Sequence, residues 1–241
     1  VVHQCAVRHA TPQAVAEALA AGRSTEVVTG HIGLDTYIEQ GGYRLLQQCP
    51  AGERSADSVI QALEGAGLRG LGGAGFPAGR KWRIVREQPA PRLLAVNADE
   101  GEPGTFKDRW LLERDPHRLL EGVFIAAWAV GVDKVFIYLR DEYPGCRALL
   151  LHELDRLQAQ PPVPGLPAVE LRRGAGAYVC GEESAMIESI EGRRGLPRLR
   201  PPYVAERGLF GRPTLVHNVE TLFWVREIVE RGGDWFAAHG R

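Results

Sequence analysis

Three short strand-like segments, spaced so that helical segments fall between them, constrain this chain more than any other feature. Leu93-Leu94-Ala95-Val96 reads as a buried strand, Val135-Phe136-Ile137-Tyr138-Leu139 as a second strand and residues 169–171 as a third. A helix over 106–113 and a long apolar helix, opened by Pro116 and closed by Gly131, separate the first two runs. A helix over 146–157 and a rigid Pro-rich loop over 161–167 separate the second from the third, and another helix follows over about 181–190. The order β–α–β–α–β–α predicts an α/β fold, a Rossmann-like sheet flanked by helices. Two further helices are expected ahead of the sheet. One is capped by Thr11-Pro12 and stopped by Gly22; the other is opened by Ser55, with Val59, Ile60 and Leu63 on one face and a stop at Gly65. From there to Gly79 the chain reads as loop.

Charge and cysteine usage narrow the function classes. Basic and acidic residues nearly balance, 29 against 30, so no whole-surface attraction draws the chain to nucleic acid or an anionic membrane. No stretch reaches the roughly 18 apolar residues of a membrane-spanning helix, so direct insertion is not expected. Cys5, Cys49, Cys146 and Cys180 are scattered without a CxxC pair. That speaks against a disulfide framework and against a zinc or iron–sulfur site, so no metal is expected and a reducing cytoplasm fits best. The opening residues carry no signal-peptide pattern, and with Val1 first they read as a piece of a longer polypeptide.

Four stretches carry groups suited to chemistry. Seven glycines lie between Gly65 and Gly79, and Gly70-Leu71-Gly72-Gly73-Ala74-Gly75 satisfies GxGxxG. A dinucleotide fingerprint follows a strand, whereas a helix comes first here, so the simple Rossmann assignment of this motif fails. The loop can still approach a ligand closely and offer N–H groups to phosphate or a flat ring, with Arg69, Arg80 and Lys81 adding positive charge. A tightly turned loop without a ligand is the competing reading. Residues 97–104 place Asn97, Asp99, Glu100 and Glu102 in a turn directly after a buried strand, where open α/β sheets bind ligands. These groups suit ribose or ribityl hydroxyls; a calcium loop would need alternate spacing over about a dozen residues, and a helix-capping turn is the plain alternative.

The third stretch, residues 174–184, links a strand to a helix. Tyr178 can stack on a ring or simply pack, Glu182 and Glu183 can cap the helix with no ligand at all, and Cys180 reads as a small hydrophobe. The fourth carries Arg193, Arg194, Arg198, Arg200, Arg207 and Arg212 against Glu206 alone, interleaved with Tyr203 and Phe210. It suits a dinucleotide's phosphates and adenine, or RNA, or forms a solvated basic face.

Together, residues 68–77, Lys81-Trp82, residues 97–102, Phe106-Lys107-Asp108-Arg109, residues 173–183 and Asn218-Val219-Glu220-Thr221 closely resemble the NADH-oxidising flavoprotein subunit of respiratory complex I. The same module occurs in NAD-dependent molybdenum formate dehydrogenases and NAD-reducing hydrogenases. The resemblance runs from about residue 68 to 224. It implies a non-covalent FMN, with Gly70, Gly72 and Lys81 near its phosphate side, Asn97, Asp99 and Glu100 along the ribityl chain and ring, Tyr178, Gly181, Glu182 and Glu183 lining the isoalloxazine, and Asn218 and Thr221 closing the phosphate end. NAD(H) would stack on the flavin with Phe76 near the adenine, Glu102 at the ribose, and Arg200 and Tyr203 along the dinucleotide; Glu102 and Glu183 are the residues expected to serve catalysis. The implied chemistry is hydride transfer between nicotinamide and flavin, followed by one-electron release to an iron–sulfur chain.

The resemblance also implies an organisation and a set of partners. Residues 1–54 form a peripheral N-terminal segment, 55–232 the FMN/NADH-binding domain, and 233–241 the start of a linker to downstream domains, one of which holds a 4Fe-4S cluster. Partners would be iron–sulfur subunits: a thioredoxin-like 2Fe-2S subunit, a molybdenum formate dehydrogenase alpha subunit, or a complex I subunit. Complex I members carry Arg, Ser, Lys and Phe where this chain has Leu71, Gly101, Arg200 and Tyr203, choices nearer the formate dehydrogenase branch. A non-catalytic assembly subunit and an RNA-binding module are the alternatives. Only the electron-transfer module accounts for the glycine loop, the acidic turn and the Gly-Glu-Glu helix start at once.

Overall fold

The computed structural model describes residues 28–239, so the helix expected over 11–22 lies outside the described residues. Strands β1 (Arg92–Ala98), β2 (Val132–Leu139), β3 (Ala168–Arg173) and β4 (Thr214–Asn218) form one parallel sheet in the order β3-β2-β1-β4. The three segments expected as strands lie within β1 to β3. The fourth strand is additional, hidden by the mixed polarity of Thr-Leu-Val-His-Asn. Its polar groups are buried yet satisfied: Trp82 Nε1 donates to His217 Nε2 at 2.8 Å, and Thr214 Oγ1 accepts from the Leu209 amide at 2.8 Å.

Helices α5 (Lys107–Arg114) and α6 (Pro116–Val130) connect β1 to β2, and α7 (Pro144–Ala159) connects β2 to β3. The chain then makes a short 3-10 turn (Tyr178–Gly181), helix α8 (Glu183–Ile190) and a second 3-10 turn (Leu209–Gly211) before returning past β2 and β1 to β4. Strand order therefore reverses at β1, whose carboxyl end lies between those of β2 and β4.

Alternation along the strands sends side chains to two cores. Leu94, Val96, Ala98, Val135, Ile137 and Leu139 meet α6 and the N-terminal helices, while Leu93, Ala95, Phe136 and Tyr138 meet Met186, Ile187 and Ile190 of α8. Helix α6 is buried along nearly its whole length, as a helix apolar on every face must be. It begins with Asp115 accepting from the Arg118 amide and ends at Gly131, whose φ of 72° is the left-handed cap that glycine adopts without strain.

Ahead of the sheet stand α1 (Leu34–Glu39), α2 (Arg44–Gln48), α3 (Ala56–Gly65) and α4 (Ala78–Arg86). Ser55 and Ser58 cap α3 reciprocally, and Ala78, Trp82 and Val85 form the buried stripe of α4 despite its four cations. Leu34, Tyr37, Tyr43, Leu45 and Leu46 of the first two helices and their junction share the core with α6. Two buried carboxylates fasten this segment. Glu121 accepts from Tyr37 Oη at 2.6 Å and the Tyr43 amide at 2.9 Å with Arg226 at 3.5 Å, and Glu153 bonds His117 at 2.7 Å and His31 at 3.1 Å. Helices α9 (Val219–Phe223), α10 (Val225–Arg231) and α11 (Gly233–Ala237) close the described chain. Gly122 admits α9, since a Cβ there would lie 2.0 Å from the Leu222 carbonyl oxygen. Among the described residues no helix is long and apolar enough to cross a membrane, and no group of three or more His, Cys, Asp or Glu side chains is placed to hold a metal ion.

Candidate functional site

The carboxyl ends of β1 and β4 lie side by side, with Asn97 opposite Asn218 in register. Such a reversal point is the crevice where open α/β sheets take ligands. Asn218 is the hub that joins its walls. Its Nδ2 donates to Asp108 Oδ2 at 2.6 Å and to the Asn97 carbonyl at 3.2 Å, while its Oδ1 accepts from Lys107 Nζ at 2.8 Å and from the Glu220 amide at 3.1 Å. Asn97 in turn donates to the Gly181 carbonyl at 2.8 Å and accepts from the Asp99 amide at 3.0 Å, fixing the third wall.

The glycine loop closes on itself and then onto this hub. Gly70 donates to the Phe76 carbonyl at 2.9 Å, Gly75 donates back to Gly70 at 3.2 Å, and Arg69 bridges Pro77. Gly73 and Gly75 sit at φ of 105° and 64°, conformations an L side chain strains to reach. The Leu71 amide donates to Thr221 Oγ1 at 2.9 Å, and a Cβ on Gly72 would lie 2.9 Å from that of Asn218. Among the described residues the amides of Gly72, Gly73 and Ala74 make no hydrogen bond, and all three residues are exposed. Consecutive free N–H groups on a loop seated against Asn218 are a cradle for an anion such as phosphate.

A string of charged and aromatic side chains runs from the loop across the mouth. Lys81 Nζ donates to the Val216 carbonyl at 3.1 Å, lies 6.0 Å from the Phe76 ring centroid and 4.0 Å from Glu183 Oε2. Burial pulls its pKa below the ordinary lysine value, with Glu183 opposing and Arg200 adding to the shift. Arg200 Nη2 spans Glu182 at 2.5 Å and Glu183 at 3.0 Å. Glu182 also caps α8 through the Ser184 and Ala185 amides; burial pushes its pKa up, but these hydrogen bonds and Arg200 outweigh it and hold the carboxyl below its usual range. Tyr178, largely exposed, donates to Glu102 at 2.6 Å.

Phe76, Lys81, Glu182, Glu183 and Arg200 thus come together, as do Gly70, Gly72, Asn97, Asp99, Gly181, Asn218 and Thr221 around the hub. One expected residue turns elsewhere. Glu100 faces inward and accepts from the Asp108 and Arg109 amides at 2.9 and 3.2 Å and from Tyr143 Oη at 3.0 Å, so the helix-capping alternative holds for it. Tyr203 is exposed, and its amide bonds Glu206 within its own loop. A cavity of about 640 Å³ near the end of α8 is lined by Arg193, Arg198, Arg207 and Phe210, and Glu188 and Glu191 pair with the first two of these arginines. The solvated-face alternative fits those two arginines. Cys180 is buried in the α8 core, as expected of a small hydrophobe.

Reading the sequence alone missed Lys107, Asp108, Arg140 and Glu142 as site residues. The first two stand in the Phe106-Lys107-Asp108-Arg109 stretch, a signal without an assigned role. Arg140 and Glu142 follow β2 and pair at 3.0 Å beside Asp99, with nothing but their position past a strand end to mark them.

Comparison with known proteins gives the chain a family and structural neighbours. A family profile described as the Nuo51 FMN-binding domain matches residues 63–239. The chain is 44% identical over 230 residues to a subunit of the NADH-quinone oxidoreductase of Rhizobium meliloti (strain 1021), covering 90% of this chain and 53% of that one. It is 46% identical over 198 residues to the mitochondrial NADH-ubiquinone oxidoreductase 51 kDa subunit of Neurospora crassa, covering 77% and 40%. Among solved structures, a chain of NAD+-reducing NiFe-hydrogenase in the H2-reduced state superposes with a TM-score of 0.74 at 48% identity, covering 84% of this chain and 35% of that one. The chain spans about half the length of the curated relatives it matches.

Proposed function

The chain belongs to the Nuo51 FMN-binding domain family, and on that basis we propose that it is the FMN- and NADH-binding module of a multisubunit oxidoreductase of the NADH dehydrogenase type. The observation that carries the reading is the glycine loop, locked through Thr221 and Asn218 onto the carboxyl end of β4 with three amides free. The residues present fit FMN: three free, exposed amides suit its phosphate, and the buried Asp99 Oδ2, which lacks a partner, suits a donor. When bound, FMN supplies hydride exchange with nicotinamide and one-electron release toward an iron–sulfur chain.

In this reading Gly70, Gly72, Lys107, Asn218 and Thr221 hold the phosphate end, with Asn97 and Asp99 deeper along the ribityl chain and Glu100 bracing that turn from behind. Lys81, Tyr178, Gly181, Glu182 and Glu183 frame the ring. Phe76, Glu102, Arg200 and Tyr203 receive the dinucleotide, and Glu102 and Glu183 set the field around the reacting atoms. Residues 55–232 form the binding unit, and a 4Fe-4S cluster belongs to the downstream portion that the longer relatives have room for.

Leu71, Gly101, Arg200 and Tyr203 favour the beta subunit of an NAD-dependent formate dehydrogenase, acting in the cytoplasm with a thioredoxin-like 2Fe-2S subunit and a molybdenum alpha subunit. Gly101 supports this: a Cβ there would lie 3.2 Å from the Tyr178 ring, so a serine crowds that ring. The complex I and hydrogenase diaphorase readings rest on the relatives just described. Electron delivery from each candidate partner to the flavin, measured with purified subunits, separates the three. The module itself is tested by a visible spectrum after incubation with FMN and gel filtration, repeated anaerobically with NADH. Retained flavin that NADH bleaches is the expected result; a folded sample that retains none is instead an assembly subunit.

A further inference from the structure

Asp99 ends the central strand in an unusual state. Its amide is fixed by Asn97, yet its carboxylate has no ion pair, and Oδ2 is buried without a hydrogen-bond partner. The side chain borders a cavity of about 150 Å³ whose other walls are Gly101, Arg140, Glu142, Ala177 and Tyr178. Every charged neighbour is engaged elsewhere. Arg140 donates to the Glu100 carbonyl and pairs with Glu142 at 3.0 Å, Glu100 caps α5, and Asp141 pairs with Arg173. Tyr178 hydrogen-bonds Glu102, away from Asp99. Burial, reinforced by the Glu142 charge and only partly offset by Arg140, lifts the Asp99 pKa to about 6.

An unpaired buried carboxylate is costly, and the cost is removed either by a proton or by an external donor. Gly181 adjoins the carboxylate without a side chain of its own; a Cβ there would come to 4.0 Å from Oδ2. The outer wall is Tyr178, mostly exposed and tethered by a single hydroxyl contact. We infer that Asp99 is the ionisable acceptor of the flavin site, taking a hydrogen bond from a ligand hydroxyl or imide N–H only as the carboxylate, so that flavin binding drives a proton off it. This rests on the FMN reading above and adds to it a proton linkage: acid weakens the site before any other step is reached.

The test is an FMN titration of the intact chain and of Asp99→Asn between about pH 5 and pH 7.5, followed by flavin fluorescence. The phosphate of FMN titrates in the same window but is common to both proteins, so their difference isolates the carboxyl. If the donor returns Asp99 to an ordinary aspartate pKa, affinity of the unmodified chain falls about tenfold more than that of Asp99→Asn over this range. Equal pH dependence of the two proteins, or a smaller loss in the unmodified chain, overturns the inference. Should Asp99→Asn fail to fold, calorimetry of the unmodified chain near pH 6 in buffers of different ionisation enthalpy counts the proton directly. Release of about half a proton beyond the phosphate contribution is expected, and uptake or none refutes it. Folded chain that binds no FMN near pH 7.5 overturns the module reading itself, a result distinct from pH-independent binding.

Discussion

The tightest contact between the glycine loop and the sheet lies at Gly72, and Gly72→Ala is the perturbation that tests it. The new methyl would stand 2.9 Å from Asn218 Cβ and 3.5 Å from its Cγ, closer than packed carbons tolerate. Asn218 cannot retreat, because Asp108, Lys107, Asn97 and Glu220 hold its amide on every side. The loop must lift instead, which stretches the Leu71–Thr221 hydrogen bond and swings the three free amides away from Asn218. Losing that bond costs about 1 kcal/mol, and overpacking of this kind adds about 1 to 3 kcal/mol. Because the loop is exposed, most of the penalty is borne in ligand binding rather than folding. FMN affinity should fall at least about tenfold, while the melting temperature drops by no more than about 4 °C for each kcal/mol lost in the fold. Thr221→Val serves as the control without added volume: it removes the acceptor of the Leu71 amide and should weaken FMN by about fivefold. Flavin titration alongside thermal melts reads both effects. Wild-type FMN affinity in Gly72→Ala would falsify the claim that this loop, in this position, holds the flavin.

Three further substitutions probe the fold and the mouth of the site. Glu121→Ala strips Tyr37, Tyr43 and Arg226 of a shared buried acceptor and should destabilise by about 3 to 5 kcal/mol, read as a melting loss of about 10 °C, whereas an unchanged melt shows that α1 and α2 are held by packing alone. His217 is kept neutral by burial, its pKa held well below the ordinary histidine value, so the unfolded chain gains a proton that the native one refuses and stability is lost as pH falls below about 6.5; against His217→Asn the wild type should lose about 1.4 kcal/mol more per pH unit, and parallel curves would mean that water reaches the ring. Arg200→Ala removes the cation between Glu182 and Glu183 at the mouth and should raise the NADH dissociation constant about tenfold while leaving FMN retention intact; equal losses of both ligands would assign Arg200 to the flavin instead.

Much of the sheet was legible because strands covered on both faces cannot hide their apolar runs. β1 and β2 announce themselves in five or fewer contiguous apolar residues, and α6 by its Pro116 and Gly131 limits. β4 escaped because two of its five residues are polar and buried, a placement made tolerable only by Trp82 and Leu209, partners that no local pattern reveals. Helix α4 escaped for the opposite reason: its cations mask a buried stripe of Ala78, Trp82 and Val85. In the site, Gly72, Asn97 and Asn218 could be picked out by motif, but Glu100 could not be told from its neighbours, since a carboxylate that caps a helix from inside reads the same as one facing a ligand.

The missing strand is also what makes the site intelligible. Without β4 the glycine loop, the acidic turn and the Asn218 stretch are motifs scattered along the chain with no reason to meet. Parallel pairing of β4 on the far side of β1 sets Asn218 opposite Asn97 and brings the helix after β4 under the loop, so that one asparagine side chain can bind both strands and Lys107 together. The return of the chain from β3 to β4 carries α8 and the Arg200 loop across the same end of the sheet, which is why Glu182, Glu183 and Arg200 face the crevice that β1 and β4 open. A chain whose fourth strand instead followed β3 on its outer edge would keep every motif and lose the site. Substitutions that weaken the β1–β4 pairing should therefore abolish flavin binding before they unfold the rest of the sheet, because β1 and β2 remain buried against α6 and paired with β3 while only the crevice comes apart.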